Sequence, residues 1–174
     1  MWDFFTTVRN RHSVRKYQGD MPVEEEKLHA ILEAASAAPS AGDLQAYHLT
    51  VVKNADLRKK ISEIAEKQSF IATAPVALVI STDTQRSQQQ FGERGRDLYS
   101  IQDATIAAAY AQLATCAAGL SSTWVGHFDG EKLKKILSFS ENYEPVAILS
   151  IGYPAEMPEP TPRRPLSEIC DVLE

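Results

Sequence analysis

The sequence predicts a layered domain of the α+β or α/β class, and three observations carry that reading. Helical and strand-like patterns alternate along the chain, which is how helices come to lie on a sheet. The short unbroken apolar run of residues 75–80 reads as a strand covered on both faces, and the mostly apolar residues 146–151 as a second buried strand. The 174 residues, 44% hydrophobic and 24% charged, fit one globular domain with a real core, spanning 1–174.

Taken in order, Pro22 opens an acidic turn, Glu24-Glu25-Glu26, where carboxylates suit the positive end of a helix. Leu28, Ile31, Leu32 and Ala35 then recur at helical spacing, and the helix should end before Pro39. Residues 47–52 read as a strand, because β-branched and aromatic residues replace the helical period. Leu57, Ile61, Ile64 and Ala65 mark a second helix, and the run from Pro75 to Ile80 a buried strand. Gly92-Glu93-Arg94-Gly95 reads as a loop.

The longest helical signal runs from about Tyr99 to Ala118. Its eight alanines between Ala104 and Ala118 permit close approach of another helix. Gly119 stands where a C-terminal cap needs positive φ. Residues 122–125 form a strand candidate, 131–137 a helix, and 146–151 a further strand. From about residue 154, Pro154, Pro158, Pro160, Pro162 and Pro165 impose an extended arm. Ile169, Val172 and Leu173 at its end suggest that the arm docks, with a second subunit as a natural surface.

The net charge of −5 argues against a dedicated nucleic-acid binder. Cys116 and Cys170 form no CxxC pair and no disulfide scaffold, which fits a reduced, cytoplasmic setting. The start, Met1-Trp2-Asp3-Phe4-Phe5, lacks a basic region followed by an apolar signal core. The most apolar stretch, Ala104 to Leu120, is shorter than the roughly 20 residues of a membrane span.

Four constellations could carry chemistry. Arg9, Arg11, His12, Ser13, Arg15 and Lys16 form a positive island free of acids between Asp3 and Asp20. Guanidinium forks with a serine hydroxyl suit a phosphate, although a solvated basic face accounts for the same residues. Pro39-Ser40-Ala41-Gly42-Asp43-Leu44-Gln45 joins the first long helix to the first strand. It either lets backbone approach a flat ligand or is an ordinary connection. Trp124-Val125-Gly126-His127-Phe128-Asp129 runs from strand to helix, where Gly126 could present backbone donors. His127 has no paired carboxylate in the sequence pattern, so packing or capping competes with acid–base work. Arg163-Arg164 in the arm is a second phosphate grip or a solvated pair.

Other chemistries find no footing. There is no GxGxxG after a strand, no GxxxxGK[ST] and no nucleophile elbow. His12, His29, His48 and His127 lack zinc-site spacing, and no metal is expected. A chain this poor in paired acids, bases and nucleophiles points to a cofactor as the carrier of any hard chemistry.

In order and together, these segments resemble the nitroreductase family of FMN-dependent NAD(P)H oxidoreductases, in its compact branch. The resemblance runs from about Phe4 to Leu173. It rests on Arg11-His12-Ser13-Val14-Arg15, the Pro39 to Gln45 loop, Gln68, Ala74-Pro75 and Ile101-Gln102-Asp103-Ala104. Trp124 to Asp129, Ile151-Gly152-Tyr153-Pro154 and Arg163-Arg164-Pro165-Leu166 complete it.

The resemblance implies an α+β fold with a mixed central sheet flanked by helices, in an interlocked homodimer holding FMN at the interface. Carried over, Arg11, Ser13 and Arg15 hold the flavin phosphate and ribityl chain, with His12 nearby and Arg163 reaching the same phosphate. Asp43, Gln45 and Gln68 contact the cofactor, some of them from the other subunit. Backbone around Gly126 and His127 faces the ring near N5, and the Ala-rich helix packs across the dimer. The implied activity is ping-pong hydride transfer from NAD(P)H to a small acceptor such as a nitroaromatic, a quinone or a flavin.

Three departures stand out: Asp43 where many members have Asn, Ala46-Tyr47 for a common Pro-Trp pair, and Thr161 for a frequent Lys. The compact length also implies that a lid present in larger relatives is missing. A flavin carrier or sensor without turnover is the rival from another class. A flavin-free enzyme acting on phosphorylated metabolites follows from the arginines alone.

Overall fold

The computed structural model describes residues 3–173; Met1 and Trp2, part of the N-terminal segment considered for a signal, lie outside the described residues. The elements are helices α1 (Phe4–Asn10) and α2 (Glu25–Ser36), strand β1 (Tyr47–Val52), and helices α3 (Ala55–Ile64) and α4 (Phe70–Thr73). Strand β2 (Val76–Asp83) leads to α5 (Thr84–Arg94) and α6 (Ser100–Ala117). Strand β3 (Ser121–Val125), helix α7 (Gly130–Leu137) and strand β4 (Tyr143–Gly152) complete the framework.

Short polar side chains start most of these helices. Asp3, Asn54, Asp83 and Asp129 each accept from a backbone N–H of the first turn, satisfying a donor the helix itself leaves unpaired. Helix α2 has no such cap and instead carries Glu25 and Glu26 in its first turn, as its acidic start predicts.

The strands form one sheet in the order β1-β2-β4-β3, with every pair antiparallel. Parallel pairing is confined to an isolated bridge between Ser13 and Ser122, so the mixed character expected from the resemblance survives only at that edge. Pro145 lacks an N–H for the ladder, and the β2–β4 register shifts beside it, between Ile80 and Ser81.

Alternation along β2 explains the unbroken apolar run. Val76, Leu78 and Ile80 join a core with Leu28, Ile31 and Ala35 of α2 and Ala104, Ala108 and Ala111 of α6. Ala77 and Val79 face the other way, onto Ile61 of α3, Phe70 and Ile71 of α4, and Leu133 of α7. Helices therefore cover both faces of the sheet. Helix α6 ends as its glycine predicts: Leu120 N–H donates to Thr115 O and Gly119 N–H to Cys116 O, with Gly119 at φ 76°.

Two segments depart from the sequence reading. Residues 84–94 are helical, and Gly92 is a left-handed break (φ 61°, ψ −148°) inside that stretch rather than part of a loop. The helix resumes through a π turn, Gly95–Tyr99, and runs directly into α6. The C-terminal arm is extended as expected, but its apolar end does not dock on this chain. Met157, Leu166, Val172 and Leu173 remain largely exposed. Among the described residues no helix is long and apolar enough to cross a membrane.

Candidate functional site

The basic island takes its geometry from the crossing that begins at the end of α1. Arg11 caps α1 through its N–H to Thr7 O and then turns extended. The chain crosses β3 at the Ser13–Ser122 bridge, where Thr123 Oγ1 also bonds Val14 O. It then pairs with the chain leaving β4: Ala155 N–H donates to Lys16 O at 2.8 Å and Gln18 N–H to Tyr153 O at 3.0 Å. Buried Tyr17 pins the crossing through its hydroxyl, 2.8 Å from Ser150 Oγ. Burial pushes the Tyr17 phenol up, so it stays a neutral donor. Arg15 N–H then donates to Glu156 Oε1 at 2.9 Å, which lays the start of the arm beside the arginines.

The outcome is a polar pocket of 400 Å³ lined by Arg11, His12, Ser13, Arg15, Glu159, Thr161 and Arg163. Residues from both ends of the chain meet there. Among the described residues, none of these three guanidinium groups forms an ion pair with a carboxylate. Among the described residues Arg163 bonds only the Thr161 carbonyl, at 3.3 Å. Arg164 differs: it folds back on Glu168, donating to Oε2 at 3.2 Å and to the carbonyl at 2.7 Å. Three cationic forks and the hydroxyls of Ser13 and Thr161 suit a phosphate dianion, and the three positive charges outweigh the single carboxylate of Glu159.

A second cluster lies just past β3. Gln68 Nε2 donates to His127 O at 3.5 Å, and His127 Nε2 lies 2.8 Å from Glu66 Oε1. Both His127 and Glu66 are exposed, and Gly126 beside them is exposed too. The carboxylate partner that the sequence pattern lacked is therefore Glu66, 61 positions away and beyond any local signal.

The loop before β1 is the third. Gly42, Asp43 and Gln45 all have left-handed backbone, at φ 58°, 55° and 52°. A Cβ at Gly42 would come within 2.9 Å of Phe91 Cζ, so the position also requires the missing side chain. Ser40 Oγ accepts Gln45 N–H, Arg86 Nε donates to Leu44 O, and Asp103 Oδ1 accepts Ala41 N–H. Asp103 was visible in the sequence only inside a motif. Its burial, with one oxygen unpartnered, singles it out here.

Within one chain, then, Arg11, His12, Ser13, Arg15 and Arg163 converge, and Gln68, Gly126 and His127 form a separate group near β3. Asp43 and Gln45 stand at the β1 edge, with β2 and β4 between them and β3. Three strand spacings amount to roughly 14 Å, more than side chains bridge.

The fold and these motifs meet known proteins at the same point. A family model described as the nitroreductase family matches residues 8–68 and 65–153. A putative NADH dehydrogenase/NAD(P)H nitroreductase of Methanothermobacter thermautotrophicus is 32% identical over 90% of this chain and 80% of its own length. An FMN reductase [NAD(P)H] of Bacillus subtilis is 30% identical over 95% of this chain and 71% of its own. In three dimensions, the hypothetical oxidoreductase YcnD from Bacillus subtilis superposes with a TM-score of 0.89. It covers 98% of this chain and 73% of its own, at 29% identity. Nitroreductase A from Vibrio parahaemolyticus gives 0.91 over 100% and 77% of the two chains at 24% identity, a likeness of fold. This chain belongs to the nitroreductase family.

Proposed function

We propose that this protein is an FMN-dependent oxidoreductase that passes hydride from NAD(P)H to a small organic acceptor by a ping-pong mechanism. The observation that carries this reading is the pocket of Arg11, Arg15 and Arg163, three guanidiniums from opposite ends of the chain with no carboxylate partner among the described residues. Relatives named FMN reductase and NADPH-flavin oxidoreductase support it.

In this reading Arg11, Arg15 and Arg163 neutralise the FMN phosphate, and Ser13 donates its hydroxyl. His12 lines the same pocket. Gln68 orients the Gly126–His127 backbone through the His127 carbonyl, and that backbone supplies donors beside the ring. FMN, when bound, supplies the hydride acceptor and donor at N5 that no side chain here provides. In the same reading Asp43 and Gln45, which stand at the opposite edge of the sheet from β3, complete the site from a second copy of the chain.

A homodimer fits the surface. Exposed Tyr110 and half-buried Leu113 lie together on the outer side of α6, and exposed Phe4, Phe5 and Val8 stand beside them on α1. Between them Phe4, Thr7, Ala34, Tyr110, Leu113, Ala114 and Ala117 line an apolar hollow of 560 Å³. The exposed apolar end of the arm is a second surface of the same kind.

The test is an absorption spectrum of purified protein with FMN, taken anaerobically before and after NADH or NADPH. Bleaching of the flavin bands, followed by recovery on adding a quinone, is the expected result. Parallel double-reciprocal lines would establish the ping-pong order. Protein that binds FMN yet keeps its colour under both nicotinamides would be a flavin carrier or sensor. Protein that ignores FMN would contradict the reading.

A further inference from the structure

We propose, building on the FMN reading, that Asp103 is a positioning residue: it fastens the loop of residues 39–45 so that Asp43 and Gln45 are presented in one fixed conformation. Asp103 is 2% exposed on α6. Its Oδ1 accepts Ala41 N–H at 2.9 Å, and its Oδ2 is buried with no partner. Burial pushes the carboxyl up, while the Ala41 N–H that it accepts holds it down. The π turn Gly95–Tyr99 continues into α6, so Asp103 does not sit at a free helix start and serves no capping role.

A buried carboxylate is an expensive acceptor for one amide, and it persists where that amide must be held firmly. The loop needs such holding. Left-handed backbone at the non-glycine residues Asp43 and Gln45 is retained only when the surroundings over-determine it. Phe91 against Gly42 and Arg86 on Leu44 restrain the loop from α5, and Ser40 closes it on Gln45. Asp103 is its tie to α6, and hence to the sheet.

Three variants test this. Asp103→Leu removes the acceptor at similar volume, and Asp103→Asn keeps one. Ala41→Pro removes the donor instead. Ser40 at φ −142° and ψ 160° already has the backbone a following proline needs. Two readouts are taken: the FMN dissociation constant, and amide hydrogen exchange of residues 42–46 in the protein without FMN.

The Leu and Pro variants are expected to weaken FMN by roughly tenfold or more and to speed loop exchange by a similar factor, with β2 and β4 amides unchanged. Asp103→Asn should stay within about threefold of the starting protein, and a Leu–Pro double variant should be little worse than either single one. Leu and Pro variants with unaltered FMN affinity and unaltered loop exchange would overturn the assignment. Where the Leu variant does not fold, Ala41→Pro decides alone. If the unmodified protein fails to bind FMN, the FMN reading falls, while the exchange comparison still decides the role of Asp103.

Discussion

At the scale of single residues, the site is a matter of which charges are already spent. Arg164 is committed to Glu168, whereas its neighbour Arg163 keeps its fork for the pocket. Read from the residues alone the two were equal candidates, because adjacency on an extended arm says nothing about which way each side chain turns; only the family resemblance pointed to Arg163. His127 shows the same limit. Its partner Glu66 comes from a left-handed turn 61 positions away. The pair is exposed, and such pairs contribute about 0–1 kcal/mol, so it weighs little in stability.

Asp103 has the opposite character: buried and costly. Its folded pKa lies above the usual 3.8, so between those two values the folded state holds more protons than the unfolded chain. The unmodified protein should therefore lose stability relative to Asp103→Asn as pH rises through that window. Above the raised pKa the difference should stay constant. Melting temperatures of the two proteins measured from about pH 4 to 8 check this; a difference that shrinks with rising pH would contradict it.

At the scale of elements, periodicity located most of the framework. Strand β1 spans the six residues read from it, and α6 ends at the glycine chosen for it. Helix α5 was missed for a physical reason. TQRSQQQFGER has almost no apolar residues to show a period, and the segment is held by an Asp83 cap and by Phe91 packing on Gly42 and Tyr99. The glycine that suggested a loop is real as a break, but the chain regains helical geometry after it.

Helix α6 carries apolar residues on its outer as well as its inner face, which a monomer leaves half unexplained. Its inner alanines meet the sheet and α2, and Ile101, Tyr110 and Leu113 look outward. If α6 forms the interface of the proposed homodimer, Leu113→Asp should leave the fold in place and break that dimer, since an unpaired charge buried at an interface costs several kcal/mol. Sedimentation should then change from a dimer toward a monomer, with FMN affinity falling alongside. A variant that sediments as the unmodified protein does would remove α6 from the interface.

For the whole molecule, the fold class and the order of motifs were legible in the sequence, and the strand order was not. Alternating helices and strands are compatible with many sheets, and only pairing shows that β4 lies between β2 and β3. That placement decides the shape of the site. Because β4 is next to β3, the chain leaving it runs against residues 15–18, and the proline arm starts beside the basic island. The same order puts the loop with Asp43 at the far edge of the sheet, and in the proposed reading a second copy brings that loop to the cofactor.

The claim on which the rest depends is that Arg11, Arg15 and Arg163 form a phosphate grip. It is tested most directly by comparing FMN with riboflavin, which differ only in the phosphate, in the unmodified protein and in Arg15→Ala and Arg163→Ala. Each charge-assisted bond is worth about 1.5–3 kcal/mol, so FMN should bind at least ~100-fold more tightly than riboflavin. Each substitution should cut that preference by roughly tenfold or more and leave riboflavin affinity nearly unchanged. Equal affinities for FMN and riboflavin in the unmodified protein would contradict the account.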